Sequence, residues 1–109
     1  MSWKLVFLPE ALKDMKNLDG NRKILVLKAI KKVQTNPLPT YEGGLGKPLG
    51  NKGSNNLTGF LKIKLRDAGI RVVYKLIKVE TEMLVIVVGA RADDEVYEIA
   101  DKRIKRHGL

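Results

Sequence analysis

The stretch FLKIKLR, residues 60 to 66, interleaves three cations, Lys62, Lys64 and Arg66, with three apolar residues, Leu61, Ile63 and Leu65. Period-two alternation is a strand pattern, so the cations share one face and the apolar side chains the other. A turn signal, Asp67-Ala68-Gly69, separates this strand from a second, Ile70 to about Val79, that brings in Arg71 and Lys75. With a loop over 67–70, Arg66 is expected opposite Arg71, Lys64 opposite Val73 and Lys62 opposite Lys75. Like charges facing each other across strands cost a few tenths to one kcal/mol per pair, roughly. A bound anion would offset that cost, and clustered cations favour the neutral amine of a lysine, a potential proton acceptor.

Two further residues fall near this face. Arg91 follows the apolar run MLVIVVGA, and Tyr97 lies one turn into the helix that comes next. A cleft floored by cations and edged by an arginine and a tyrosine would hold a phosphodiester and stack on or orient its nucleotide. Each part also has a plainer reading: a solvated basic strand face, a surface ion pair of Arg91 with Asp93, Asp94 or Glu95, and a half-buried helical tyrosine.

The elements that must position these groups follow from periodicity and punctuation. Residues 2–8 read as a short strand ending at Pro9, which suits the first turn of a helix over PEALKDMKNL. Asn21 is expected to cap a second helix with Val26, Leu27, Ile30 and Val33 on its apolar face, giving a helical hairpin. A Gly-, Pro- and Asn-rich connection runs from Pro37 to about Thr58, either functional or crossing the fold to start the sheet. Three strands follow, residues 60–66, 70–79 and 83–90, joined by hairpin-length turns into an antiparallel β-meander whose third strand is apolar enough to be central. Asp93 and Asp94 offer caps to a terminal helix with basic last turns. The expected fold is α+β: short N-terminal strand, helical hairpin, antiparallel meander sheet and C-terminal helix, with the helices on one face of the sheet.

At 109 residues the chain is expected to be a single domain, 1–109. Its 21 Lys plus Arg against 12 Asp plus Glu, a net charge of +9, point to polyanionic partners. Between Phe60 and Lys78 the only acid is Asp67, so the charge concentrates on the hairpin. The absence of cysteine excludes disulfides and thiolate chemistry and suits a reducing compartment. No stretch has the pattern of a signal peptide or the length of a membrane span, so a cytoplasmic location without membrane contact is expected.

KPLG at 47–50, LTGFLKIKLRDAGIRVVYKL at 57–76 and VIVVGARADDEVY at 85–97 resemble the RelE/ParE superfamily of type II toxins, most closely its RelE-type ribosome-dependent mRNA interferases. The resemblance extends over most of the chain. It implies an active site of Lys62, Lys64, Arg66, Arg71, Arg91 and Tyr97, with no cofactor and no metal. It also implies ribosome, mRNA and a cognate antitoxin as partners. The implied chemistry is attack of a ribose 2′-OH on its adjacent phosphate, with Lys64 as base, Lys62, Arg66 and Arg71 stabilising the phosphorane, Arg91 assisting the leaving 5′-oxygen, and Tyr97 stacking on or orienting a nucleotide.

Ala90 stands where the enzymes often carry a base, and Asp93 and Asp94 place acids where further bases can occur. His107, in the tail KRHGL, is expected to be frayed and exposed. GGLGKPLG lacks the Ser or Thr that a phosphate-binding P-loop requires after its lysine. Two alternatives keep part of this reading: a ParE-type inhibitor of DNA gyrase on the same fold, and a non-catalytic RNA- or DNA-binding module.

Overall fold

The computed structural model describes residues 3–52, 55–90 and 93–109, with the side chains of Asn51, Lys52, Asn55, Asp93 and Asp94 left aside. In chain order the elements are β1 (Lys4–Phe7), α1 (Pro9–Lys16), α2 (Gly20–Gln34), β2 (Lys47–Pro48), β3 (Asn51–Lys52), β4 (Asn55–Asn56), β5 (Leu61–Leu65), β6 (Ile70–Ile77), β7 (Glu82–Gly89) and α3 (Asp93–Arg106). Pro9 sits in the first turn of α1, where a missing N–H costs nothing. The cap of α2 is Asp19 rather than Asn21: its carboxylate accepts the Arg22 N–H at 2.8 Å.

The expected meander is the middle of a larger sheet, ordered β1-β7-β6-β5-β2. Alternation identifies a strand but not its partners, so two pairings went unread. β1 joins β7 in parallel, Lys4 to Phe7 alongside Glu82 to Val85, and β2 adds an antiparallel edge to β5. The long connection therefore crosses the fold and ends as part of the sheet. It is pinned at several points: the Tyr74 hydroxyl donates to the Pro37 carbonyl at 2.8 Å, Gly46 N–H donates to Leu38 O at 3.0 Å, and Leu49 N–H to Phe60 O at 2.8 Å. Gly46 is buried so tightly that a Cβ there would fall on the Tyr74 hydroxyl and 2.6 Å from a Leu61 methyl.

β6 and β7 are buried on both sides. Leu61, Ile63 and Leu65 pair with Tyr74, Val72 and Ile70, and Tyr74 points to the side where α2 ends. On the opposite side lie Val73 and Val87, paired with each other and 0% and 1% exposed. Apolar residues on both sides need cover on both sides, which corrects the expectation of helices on one face. α3 supplies the second cover: Gly89 pairs with Arg71, and a Cβ on Gly89 would lie 2.8 Å from a Val96 methyl. A bulge at Ile86, the residue left between the Val73–Val87 and Tyr74–Val85 pairs, turns the strand so that Val85 to Val88 are all buried.

β1 ends at Phe7, and side chains continue its work along the edge of β7. The Asp14 carboxylate accepts the Val88 N–H at 3.0 Å, and Arg103 donates to Ile86 O at 3.0 Å. Arg103 and Asp14 also form a two-pronged ion pair at 2.6 and 3.1 Å, with side chains only 14% and 17% exposed. One cluster thus ties α1 and α3 to β7.

Gly46→Ala is expected to lose about 2 kcal/mol of stability, about 10 °C in Tm for a domain of this size. Gly50→Ala, where a Cβ meets nothing within 4 Å, is the control in the same thermal melts, and equal losses in the two variants would refute the close-approach account.

Candidate active site

The cationic face is built from the hydrogen-bonded register of β5, β6 and β7. Lys64 pairs with Arg71, and Arg71 pairs on its other side with Gly89. Lys62 pairs with Val73. The expected pairing is displaced by two residues: the turn occupies 66–69, closed by Gly69 N–H to Arg66 O at 3.2 Å, and Leu65 pairs with Ile70. The displacement lets Ile70 enter the core at 0% exposure while Arg66 stays in solvent. Burying an isoleucine stabilises by roughly 2 kcal/mol. A two-residue slip keeps every side chain on its face, so the apolar pattern alone could not choose between the registers.

Lys62, Lys64 and Arg71 are half-buried, and Arg66 is exposed at the turn. Arg66 borders a hollow of about 320 Å³ lined by Leu25, Lys64, Leu65, Asp67 and Ala68. Lys75 does not oppose Lys62; its ammonium lies 5.5 Å from the centre of the Phe60 ring, a cation–π contact. The sequence reading missed Lys47, which β2 sets directly opposite Lys62. Its only signal was the KPLG motif, whose edge-strand role no local rule reveals.

Tyr97 stands at the covered end of this row and is 3% exposed. Its ring is therefore not open to stack on a nucleotide while α3 is in place. Burial pushes its phenol pKa up, with the Arg71 charge acting in the opposite sense, so it is a neutral hydroxyl at ordinary pH. That hydroxyl is buried without a hydrogen-bond partner among the described residues. A group of this kind can accept a donor or donate to a phosphate oxygen once a substrate arrives. Arg91 lies outside the described residues; the described backbone stops at Ala90, next to Gly89 of the Lys64–Arg71–Gly89 row.

Another hollow, about 460 Å³, lies elsewhere, lined by Asp14, Asp19, Arg22, Val87 to Ala90, Ile99 and Arg103 among others. Its arginines already face acids, Arg103 with Asp14 and Arg22 with Asp19 at 3.8 Å. Balanced charge of this kind does not favour a phosphate. Among the described residues no group of three His, Asp or Glu side chains is placed to hold a metal ion, and no helix is long and apolar enough to cross a membrane.

The end of α3 is also anchored, so His107 is exposed as expected but not frayed. Its Nε2 lies 2.9 and 3.1 Å from the two Glu10 carboxylate oxygens, and Arg106 donates to the same carboxylate at 3.1 Å. The sequence separation of 97 residues hid this contact.

No family model matches the sequence. Over 106 residues, 96% of this chain and 100% of the other, it is 32% identical to a RelE-like toxin protein of Escherichia coli. A stretch of 54 residues, 47% of this chain and 57% of the other, is 46% identical to the mRNA interferase toxin RelE of the same species. The structure superposes on a mutant E. coli RelE toxin in the free state with a TM-score of 0.72 and 31% identity, covering 95% of this chain and 99% of that one. The toxin of the intact E. coli RelBE toxin-antitoxin complex gives 0.63 and 27%, over 84% and 99%.

The His107 contact, followed by a hydrogen bond from the backbone, lowers the Glu10 pKa from 4.5 to about 2. The anchoring it provides is complete above pH 4.5 and is lost as pH falls toward 2. In thermal melts across that range, the Tm advantage of the wild type over Glu10→Gln is expected to shrink with falling pH; a constant offset would refute the anchor.

Proposed function

Because the chain belongs to the RelE family of toxins, we propose that it is the toxin of a type II toxin-antitoxin pair, an endoribonuclease that cleaves mRNA in the ribosomal A site. The observation that carries this reading is the row Lys64–Arg71 with Lys62 beside it, a cationic floor half-covered by α3. Clustered cations of this kind attract a polyanion.

In the proposed reaction the ribose 2′-OH attacks the adjacent phosphorus. The O–P bond forms as the bond to the 5′-oxygen breaks, leaving a 2′,3′-cyclic phosphate and a free 5′-OH. Lys64 takes the 2′ proton as the base. Lys62 and Arg71 donate to the equatorial oxygens of the phosphorane, and Arg66 adds charge from the turn. Arg91, which directly follows Ala90, would stabilise the leaving 5′-oxygen. An arginine gives up no proton near neutral pH, so its service is electrostatic and the proton comes from water. The Tyr97 hydroxyl would donate to a phosphate oxygen at the Arg71 end of the site rather than its ring stacking on a base. Chain cations thus meet every demand for charge, which supports a route without a metal.

The ribosome would supply what this floor lacks, a messenger held in a reactive conformation, and the net charge of +9 suits docking on ribosomal RNA. A cognate antitoxin is the second partner. The fold is that of the toxin in the RelBE toxin-antitoxin complex.

The test is translation of a defined message on purified ribosomes, with 3′ ends mapped by primer extension. Cleavage is expected within A-site codons and is expected to fall about 100-fold or more in Lys64→Ala and Arg91→Ala. Intact mRNA at saturating toxin would refute the reading, and gyrase-dependent DNA breaks would move the chain to the ParE branch.

A further inference from the structure

We propose that Lys47 holds the RNA phosphate next to the scissile one, so that β2 forms a flanking subsite of the cleavage track. This inference rests on the mRNA-cleaving reading and extends it to a residue outside the catalytic set. Three observations carry it. First, Lys47 pairs with Lys62, and directly paired residues on neighbouring strands project to the same side about 5 Å apart. Lys47 therefore widens the cationic floor by one strand. Second, α3 closes the opposite end of that floor: Val96 packs on Gly89 and Tyr97 is buried beside Arg71. A strand of RNA laid across Lys62 and Lys64 can leave the covered end only toward the open edge, where β2 lies and Lys47 is exposed.

Third, the backbone carrying Lys47 is held far more firmly than an exposed two-residue strand requires. On one side of it Gly46 is buried under the Tyr74 hydroxyl, donates to Leu38 O at 3.0 Å and accepts from Thr40 N–H at 2.8 Å. On the other side Leu49 is 5% exposed and hydrogen-bonded to Phe60 O at 2.8 Å. Pro48 removes a donor from the edge and so discourages pairing with another strand. An exposed ammonium on so fixed a base can meet a phosphate at a defined place with little further ordering of backbone. Lys47 touches no reacting atom in this scheme; it positions the substrate.

A positioning role predicts a split that a catalytic or purely structural role does not. In cleavage on programmed ribosomes, Lys47→Gln is expected to raise the toxin concentration for half-maximal rate about five-fold, with the rate at saturation unchanged. Lys47→Arg should restore wild-type behaviour. Lys4→Gln, on the far sheet edge and also exposed, is the control for general loss of charge. In parallel, fluorescence anisotropy with a single-stranded RNA oligonucleotide reads binding without cleavage. There the slope of log K against log salt should fall by about 0.7 in Lys47→Gln. Unchanged half-saturation and salt slope, or the same effects in Lys4→Gln, would overturn the proposal. If the wild type fails to cut at all, the interferase reading falls; the anisotropy slope then decides Lys47 alone, a fall supporting the subsite and an unchanged slope overturning it.

Discussion

The placement of β6 between β5 and β7 is the constraint on which the rest of the molecule depends. Its register sets Lys64, Arg71 and Gly89 in a line across the sheet and at the same time buries Ile70, Val72, Val73 and Tyr74. The apolar residues pay for the cations. Each fully buried aliphatic side chain stabilises by roughly 1.5–3 kcal/mol, several times the cost of one like-charged cross-strand pair. The protein can hold repelling groups together because the same two strands are packed on both faces. Gly89 completes the arrangement, since only a residue without a Cβ lets Val96 settle on the sheet beside the charged row.

The terminal helix is held over that row from its far end. Its first turns bring Val96 and Tyr97 down beside Arg71, while Arg103, Arg106 and His107 are gripped by Asp14 and Glu10 of α1. Two of the chain's acids are thus used where they position a helix. The Asp14–Arg103 pair does more than join two helices, because it also satisfies β7 backbone groups that β1 is too short to reach. Buried ion pairs of this type contribute little when compared with apolar packing but cost several kcal/mol to break singly. They fix where the helix sits. In a RelE-family toxin that placement matters, since the helix bounds one end of the surface proposed to receive RNA and leaves the β2 edge open.

Much of this was legible in the sequence, and the limits are physical. The alternation in FLKIKLR identified the cationic face, the helical spacing of Val26, Ile30 and Val33 identified the buried face of α2, and the apolar run in β7 marked it as central. The pattern within one strand is local, so it survives translation into structure. The two-residue displacement of the β5–β6 register was not legible, because both registers put the same side chains on the same faces and only the burial of Ile70 separates them. Nor was the burial of Tyr97, which depends on how closely α3 approaches Gly89.

The sequence by itself determined which residues are cationic, which alternate, and therefore that Lys62 and Lys64 share a face, since strand geometry sends every second side chain to one side. Only the tertiary structure decided that Lys47 joins them, that α3 covers the charged side of the sheet rather than the other, and that His107 docks on Glu10. These are contacts between segments far apart in the chain. Their free energy comes from shared burial and charge pairing across elements, and no run of neighbouring residues carries a record of it.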